Sequence, residues 1–99
     1  MGIPDKIQII GCEIKTSYEE KLLEELGLMA QANTNFNEIR IRKKCEGKEL
    51  GEGELFENYI HELTHFMINK IGYKELAKNE EFIEVLSNVL VQVIKQLKK

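Results

Sequence analysis

Residues 54–72 read ELFENYIHELTHFMINKIG, and this stretch decides the fold. Leu55, Phe56, Tyr59, Ile60, Leu63, Phe66, Met67 and Ile71 recur at helical spacing and cover one broad face. Gly72 stops the pattern, so a helix is expected over 54–71 with an apolar side that needs a platform. His61 and His65 fall on the opposite side, with Glu54 and Ile68. Histidines that merely filled a core would sit within the apolar face, so these two point to a separate task.

Working outward, the chain after this helix is helical again. Asn79 has the chemistry of an N-cap, and a second helix is expected over 80–97. Its inward stripe reads as Ile83, Leu86, Leu90, Val93 and Leu97, with Ile94 beside them. The chain before residue 46 reads mainly as short strands. KIQIIGCEIKT (6–16) alternates Ile7, Ile9, Cys12 and Ile14 about Gly11, as a hairpin or kinked strand would. SYEEKLLEELG (17–27) reads as a short helix, with Ser17 and Glu20 as a capping box and Gly27 as its C-cap. LMAQANTNFNEIRIRKK (28–44) reads as a second hairpin, turning among Asn33, Asn35 and Asn37. Residues 46–53 form a polar, glycine-rich loop. Strands first and helices afterwards give one α+β domain over 1–99: a small antiparallel or mixed sheet, then two helices.

Composition narrows the function. The 99 residues are 42% apolar and 31% charged, as in an ordinary globular domain. A net charge of −3 argues against a nucleic-acid footprint. No apolar run reaches the 18 or so residues of a membrane span, and the first residues do not read as a signal peptide. Lys6 stands where an acylation motif beginning at Gly2 wants Ser or Thr. Cys12 and Cys45 form no CxxC pair, so two reduced thiols in a cytoplasmic protein are expected. Arg40, Arg42, Lys43 and Lys44 suit an acidic partner or a charge-protected edge strand equally well.

The chemistry concentrates in His61-Glu62-Leu63-Thr64-His65. Residues four apart on a helix lie one turn apart, about 40° around the axis, so both imidazoles can reach one metal ion. Glu62, next to the first ligand, can reach a metal-bound water without binding the metal itself, as a general base would. The chain has only two histidines and both are in this motif. A third protein ligand must then be a carboxylate or thiolate. Glu80, Glu81 and Glu84 open the next helix, where acids also complement the helix dipole. Relative to the expected inward stripe, Glu80 is the best-placed ligand and Glu81 points away. Glu84, one turn on, is placed to accept an N–H from a ligand histidine. Cys45 is a weaker alternative as a further ligand.

HELTH on one helix, NEEFIEVLSNVLVQVIKQ on the next and GLMAQANTNFNEIRIRK before them resemble the small phage and prophage zinc peptidase-like proteins. These are minimal gluzincins, distantly similar to the ImmA/IrrE peptidase domain. The resemblance spans nearly the whole chain. It implies zinc held by His61, His65 and Glu80, a short sheet beneath the HExxH helix, and a peptide or protein substrate in a bacterial host cytoplasm. The chain departs from that pattern in its glycine-rich loop and in lacking an evident oxyanion-stabilising side chain: Tyr59 falls on the apolar face, leaving Tyr73. The expected function is therefore a zinc metallopeptidase-like hydrolase with Glu62 as base. The alternatives are a non-catalytic, zinc-stabilised interaction or regulatory module, and a metal-free structural protein.

Overall fold

A computed structural model describes residues 2–98, so the outermost residue at each end of the expected domain lies outside it. The chain runs β1 (Lys6–Ile9), β2 (Cys12–Tyr18), α1 (Glu20–Leu26), β3 (Ala30–Asn33), β4 (Glu38–Ile41), β5 (Lys44–Cys45), β6 (Lys48–Glu49), α2 (Glu52–Lys70), α3 (Lys74–Ala77) and α4 (Glu80–Leu97). Four strands form one sheet in the order β1-β2-β4-β3. β1 and β2 make a hairpin in which Ile9 faces Cys12, with both turn residues, Ile10 and Gly11, at positive φ. That is the backbone of a type I′ turn, whose twist matches the strands it joins. β2 and β4 run parallel, so the chain must cross over between them, and α1 and β3 fill that crossover. β3 then returns antiparallel on the far side of β4 and becomes an edge.

One sheet face is apolar. Ile14, Ile39, Ile41 and Ala30 meet Phe56, Tyr59, Ile60, Leu63 and Phe66 of α2 in a single core. The other face is polar, and there Arg40 bonds Glu38 at 2.6 Å and Gln31 at 3.2 Å. The architecture is the expected α+β, with α2 lying on the sheet and α4 packed beside α2. Among the described residues, no helix is long and apolar enough to cross a membrane. Both cysteines are free and half-buried.

Several expectations need correction. Ser17 does not cap α1. The parallel pairing of β2 extends through Tyr18 opposite Ile41, which draws Ser17 into the strand, and its hydroxyl donates to Glu19 instead. Glu20 accepts hydrogen bonds from the backbone N–H groups of Lys43 and Lys44, tying α1 to the start of β5. The expected loop over 46–53 instead holds the turn and second strand of a third hairpin, β5–β6, which turns at Glu46 and Gly47 with φ of 51° and 80°, and the first two residues of α2. Arg40 lies on a central strand, not a charge-protected edge. α2 starts two residues before the expected 54, and the unexpected α3 fills part of the link to α4.

The largest revision concerns the phase of α4. Its buried line is Ile83, Ser87 and Val91, whereas Val93 and Leu97, expected inward, are 45% and 79% exposed. The apolar residues of α4 spread over about half of its circumference, wider than the line that is buried, so periodicity alone does not fix which part faces in.

Candidate metal centre

His61 and His65 project from successive turns of α2 towards the start of α4, and their ring centroids are 5.0 Å apart. Asn79 opens α4 as expected: its side-chain oxygen accepts the N–H of Phe82 at 3.0 Å. This cap sets the helix start so that Glu80 meets both rings. Its Oε1 is 2.9 Å from His65 Nε2 and its Oε2 is 3.3 Å from His61 Nε2. Two imidazole nitrogens and a carboxylate oxygen thus converge within 4.8 Å of one another, as sequence reasoning placed them. These three residues can hold a metal ion. Glu81 is exposed and takes no part, and Cys45 does not join the cluster.

The far side of each ring is also fixed. His65 Nδ1 lies 2.6 Å from the carbonyl oxygen of Ala77 in α3. A carbonyl only accepts, so His65 Nδ1 must carry the proton. His61 Nδ1 lies 3.2 Å from Glu84 Oε2 and 3.4 Å from Ser87 Oγ, whose hydroxyl donates to the Glu84 carbonyl at 3.1 Å. Glu84 therefore serves His61 as expected. With both Nδ1 protons committed, each Nε2 presents a lone pair to the Glu80 carboxylate. Lone pairs facing each other at these distances repel unless a cation sits among them or a ring takes a second proton. The donor set, nitrogen–nitrogen–oxygen with open space beside it, fits a divalent transition metal.

Glu62 stands beside these residues without ligating. Burial pushes its carboxyl up to about 6. Charge from His65 pulls it down, the Glu80 carboxylate pushes it up again, and the nearby Ala32 backbone amide opposes the rise. Glu62, His65 and Glu80 line one open depression of about 410 Å³, whose opposite wall is Leu28 and the edge strand β3. β3 pairs on one side only, so its outer edge offers backbone N–H and C=O groups along this wall.

Sequence reasoning missed two members of the site. Ser87 carried a usable signal, since it is a polar residue amid an apolar helix. The Ala77 carbonyl carried none, because a backbone acceptor depends on where α3 ends rather than on any side chain. Tyr59, expected on the apolar face, is 2% exposed within the core, and Tyr73, the one candidate left for stabilising an oxyanion, is 62% exposed and does not line the depression. Comparison of the chain with protein-family models, curated proteins and solved structures finds no match.

Proposed function

We propose that this protein is a zinc-dependent, metallopeptidase-like hydrolase of the phage and prophage type, acting in a reducing bacterial cytoplasm on a peptide or protein substrate. The observation that carries this reading is the convergence of His61 Nε2, His65 Nε2 and Glu80, with the raised carboxyl of Glu62 beside them. A zinc ion held there would polarise a carbonyl and favour deprotonation of water. The ligands are His61, His65 and Glu80, with ring orientation maintained by Glu84, Ser87 and the Ala77 carbonyl. Glu62 takes the proton of the water that adds to the scissile carbonyl carbon. As the carbon–nitrogen bond breaks, it passes that proton to the departing amine. The outer edge of β3 supports a peptide substrate, because an extended chain can add to it through main-chain hydrogen bonds.

One observation favours a second reading, a non-catalytic module that keeps the metal for stability. Among the residues lining the depression there is no tyrosine or further histidine to stabilise an oxyanion. Elemental analysis and hydrolysis of an unfolded protein separate the readings. Wild type is expected to carry about one zinc per chain. His61→Ala and His65→Ala should lose it, and Glu62→Gln should retain it while losing about 10²–10⁴ in rate. Protein free of any transition metal refutes both readings. Tight zinc without cleavage of any unfolded substrate selects the module.

A further inference from the structure

β3 differs from the other strands of the sheet in what it turns towards α2. β1, β2 and β4 present Ile7, Ile9, Ile14, Ile39 and Ile41 on that face, whereas β3 presents only Ala30 and Ala32. Both alanines line the depression beside Glu62, His65 and Glu80, so their small side chains leave open a space that isoleucine would fill. The sheet register also fixes which backbone groups of β3 are free. Lys15 and Glu19 donate their N–H groups to the carbonyls of Asn37 and Ile41, so the odd-numbered residues of β4 turn their backbone groups towards β2. Arg42 donates its N–H to the Met29 carbonyl, so the even-numbered residues turn towards β3 and meet Met29, Gln31 and Asn33. The N–H and C=O groups of Ala30 and Ala32 therefore point outwards along the wall of the depression. The Ala32 amide reaches the Glu62 carboxyl, as that direction requires.

We propose, resting on the peptide-site reading above, that the depression takes an extended segment as a fifth strand and selects a bulky apolar side chain at the residue opposite Ala30. The segment runs antiparallel to β3, the more stable pairing. The selected residue exchanges both of its backbone bonds with Ala30, and the residue opposite Ala32 donates to the Ala32 carbonyl. The Ala32 amide is left with Glu62. Residues directly opposite each other share a face of the sheet, so the selected side chain points with that of Ala30 into the depression, and its immediate neighbours point away. Apart from the alanines, metal ligands and base, it meets Leu28, Asn69, Ala77 and Lys78. Leu28 is 38% exposed because the depression is open, and Asn69 is neutral. Lys78, the one cation among the lining residues, has a 75% exposed side chain with Glu75 at 4.0 Å, so it stands at the rim. A leucine-sized side chain covers Leu28, whereas a charged one gives up water against apolar walls.

The probes are fluorescein-labelled octapeptides, threonine and serine throughout except for one central guest residue. They are bound to zinc-loaded Glu62→Gln protein, so that binding is read without cleavage. A leucine guest should bind about ten-fold more tightly than a serine or aspartate guest. N-methylation of the leucine should weaken binding about ten-fold, while N-methylation of either neighbour, whose N–H points away from β3, should change it little. Leu28→Arg should turn the preference towards aspartate, Leu28→Met should keep it for leucine, and both should retain zinc. Absence of peptide binding, equal binding of all guests, or equal effects of N-methylation at guest and neighbour overturns the proposal. So does a Leu28→Arg variant that still prefers leucine. The expected pattern alongside a wild type that cleaves nothing refutes the hydrolase reading alone, and cleavage without the pattern refutes this proposal alone.

Discussion

At the scale of single residues, the three glutamates that open α4 have three different duties. Glu80 faces both imidazole Nε2 atoms, Glu84 faces the Nδ1 of His61, and Glu81 faces solvent. Glu80→Gln should therefore cost the most metal affinity, because it removes a charged ligand. Glu84→Gln should cost about 10–100-fold, as expected for a group that orients a ligand, and Glu81→Gln should cost nothing measurable. Titration with a competing chelator ranks the three, and equal losses for Glu80→Gln and Glu81→Gln would refute the assignment. Glu62 gives a second prediction, for the metal-free protein. Its carboxyl rises from 4.5 to about 6 on folding, so the folded state binds its proton more tightly than the unfolded state. Stability contributed at Glu62 is therefore lost as pH climbs from about 4.5 to 6, to a total of about 2 kcal/mol. Glu62→Gln removes that loss. In chelator-treated protein it should unfold at higher denaturant than wild type at pH 7.5, with the gap closing below pH 4.5. A gap that does not change with pH would rule out this origin.

Among the elements, the first two hairpins and the two long helices could be read from the chain because each carries its own local signal, whereas the β5–β6 hairpin was expected as a loop. Gly11 and Gly27 mark turns, Ile39 and Ile41 alternate with Arg40 and Arg42, and Asn79 announces α4. His61, Glu62 and His65 were equally legible, since a four-residue spacing on a helix is itself a geometric statement. What could not be read depended on partners distant in sequence. Ser17 looks like a cap until β4 pairs with β2, and Arg40 looks like an edge residue until β3 closes the outer side. The phase of α4 failed for another reason, its apolar surface being too wide to single out one inward line. The first hairpin bears a local conflict of its own. Ile10 is β-branched, 55% exposed and held at φ 50°, a conformation that suits asparagine or glycine. Ile10→Asn should stabilise the protein by about 0.5–1 kcal/mol, measured by urea unfolding. A destabilised variant would mean that Ile10 contributes apolar contacts outweighing its strain.

Taken whole, the molecule divides its labour along the chain. Residues 6–41 supply a platform, apolar towards α2 and polar on its outer face, while the side chains able to hold a metal ion and the groups that orient them come from residues 61–87. His65 and Glu80 are separated by only a short link, with the Ala77 carbonyl inside it. Bringing such near neighbours together has a small loop-closure cost, whereas the parallel pairing of β2 with β4 must wait for a longer segment to cross over. The order of assembly follows from this difference. An ion present from the start can clasp α2 to α4 before the strands have found their register, so the helical pair becomes a nucleus on which the sheet condenses. Refolding in stopped flow should then be faster with zinc than with chelator, and more so than unfolding is slowed. Zinc acting on unfolding alone would mean that the clasp closes last.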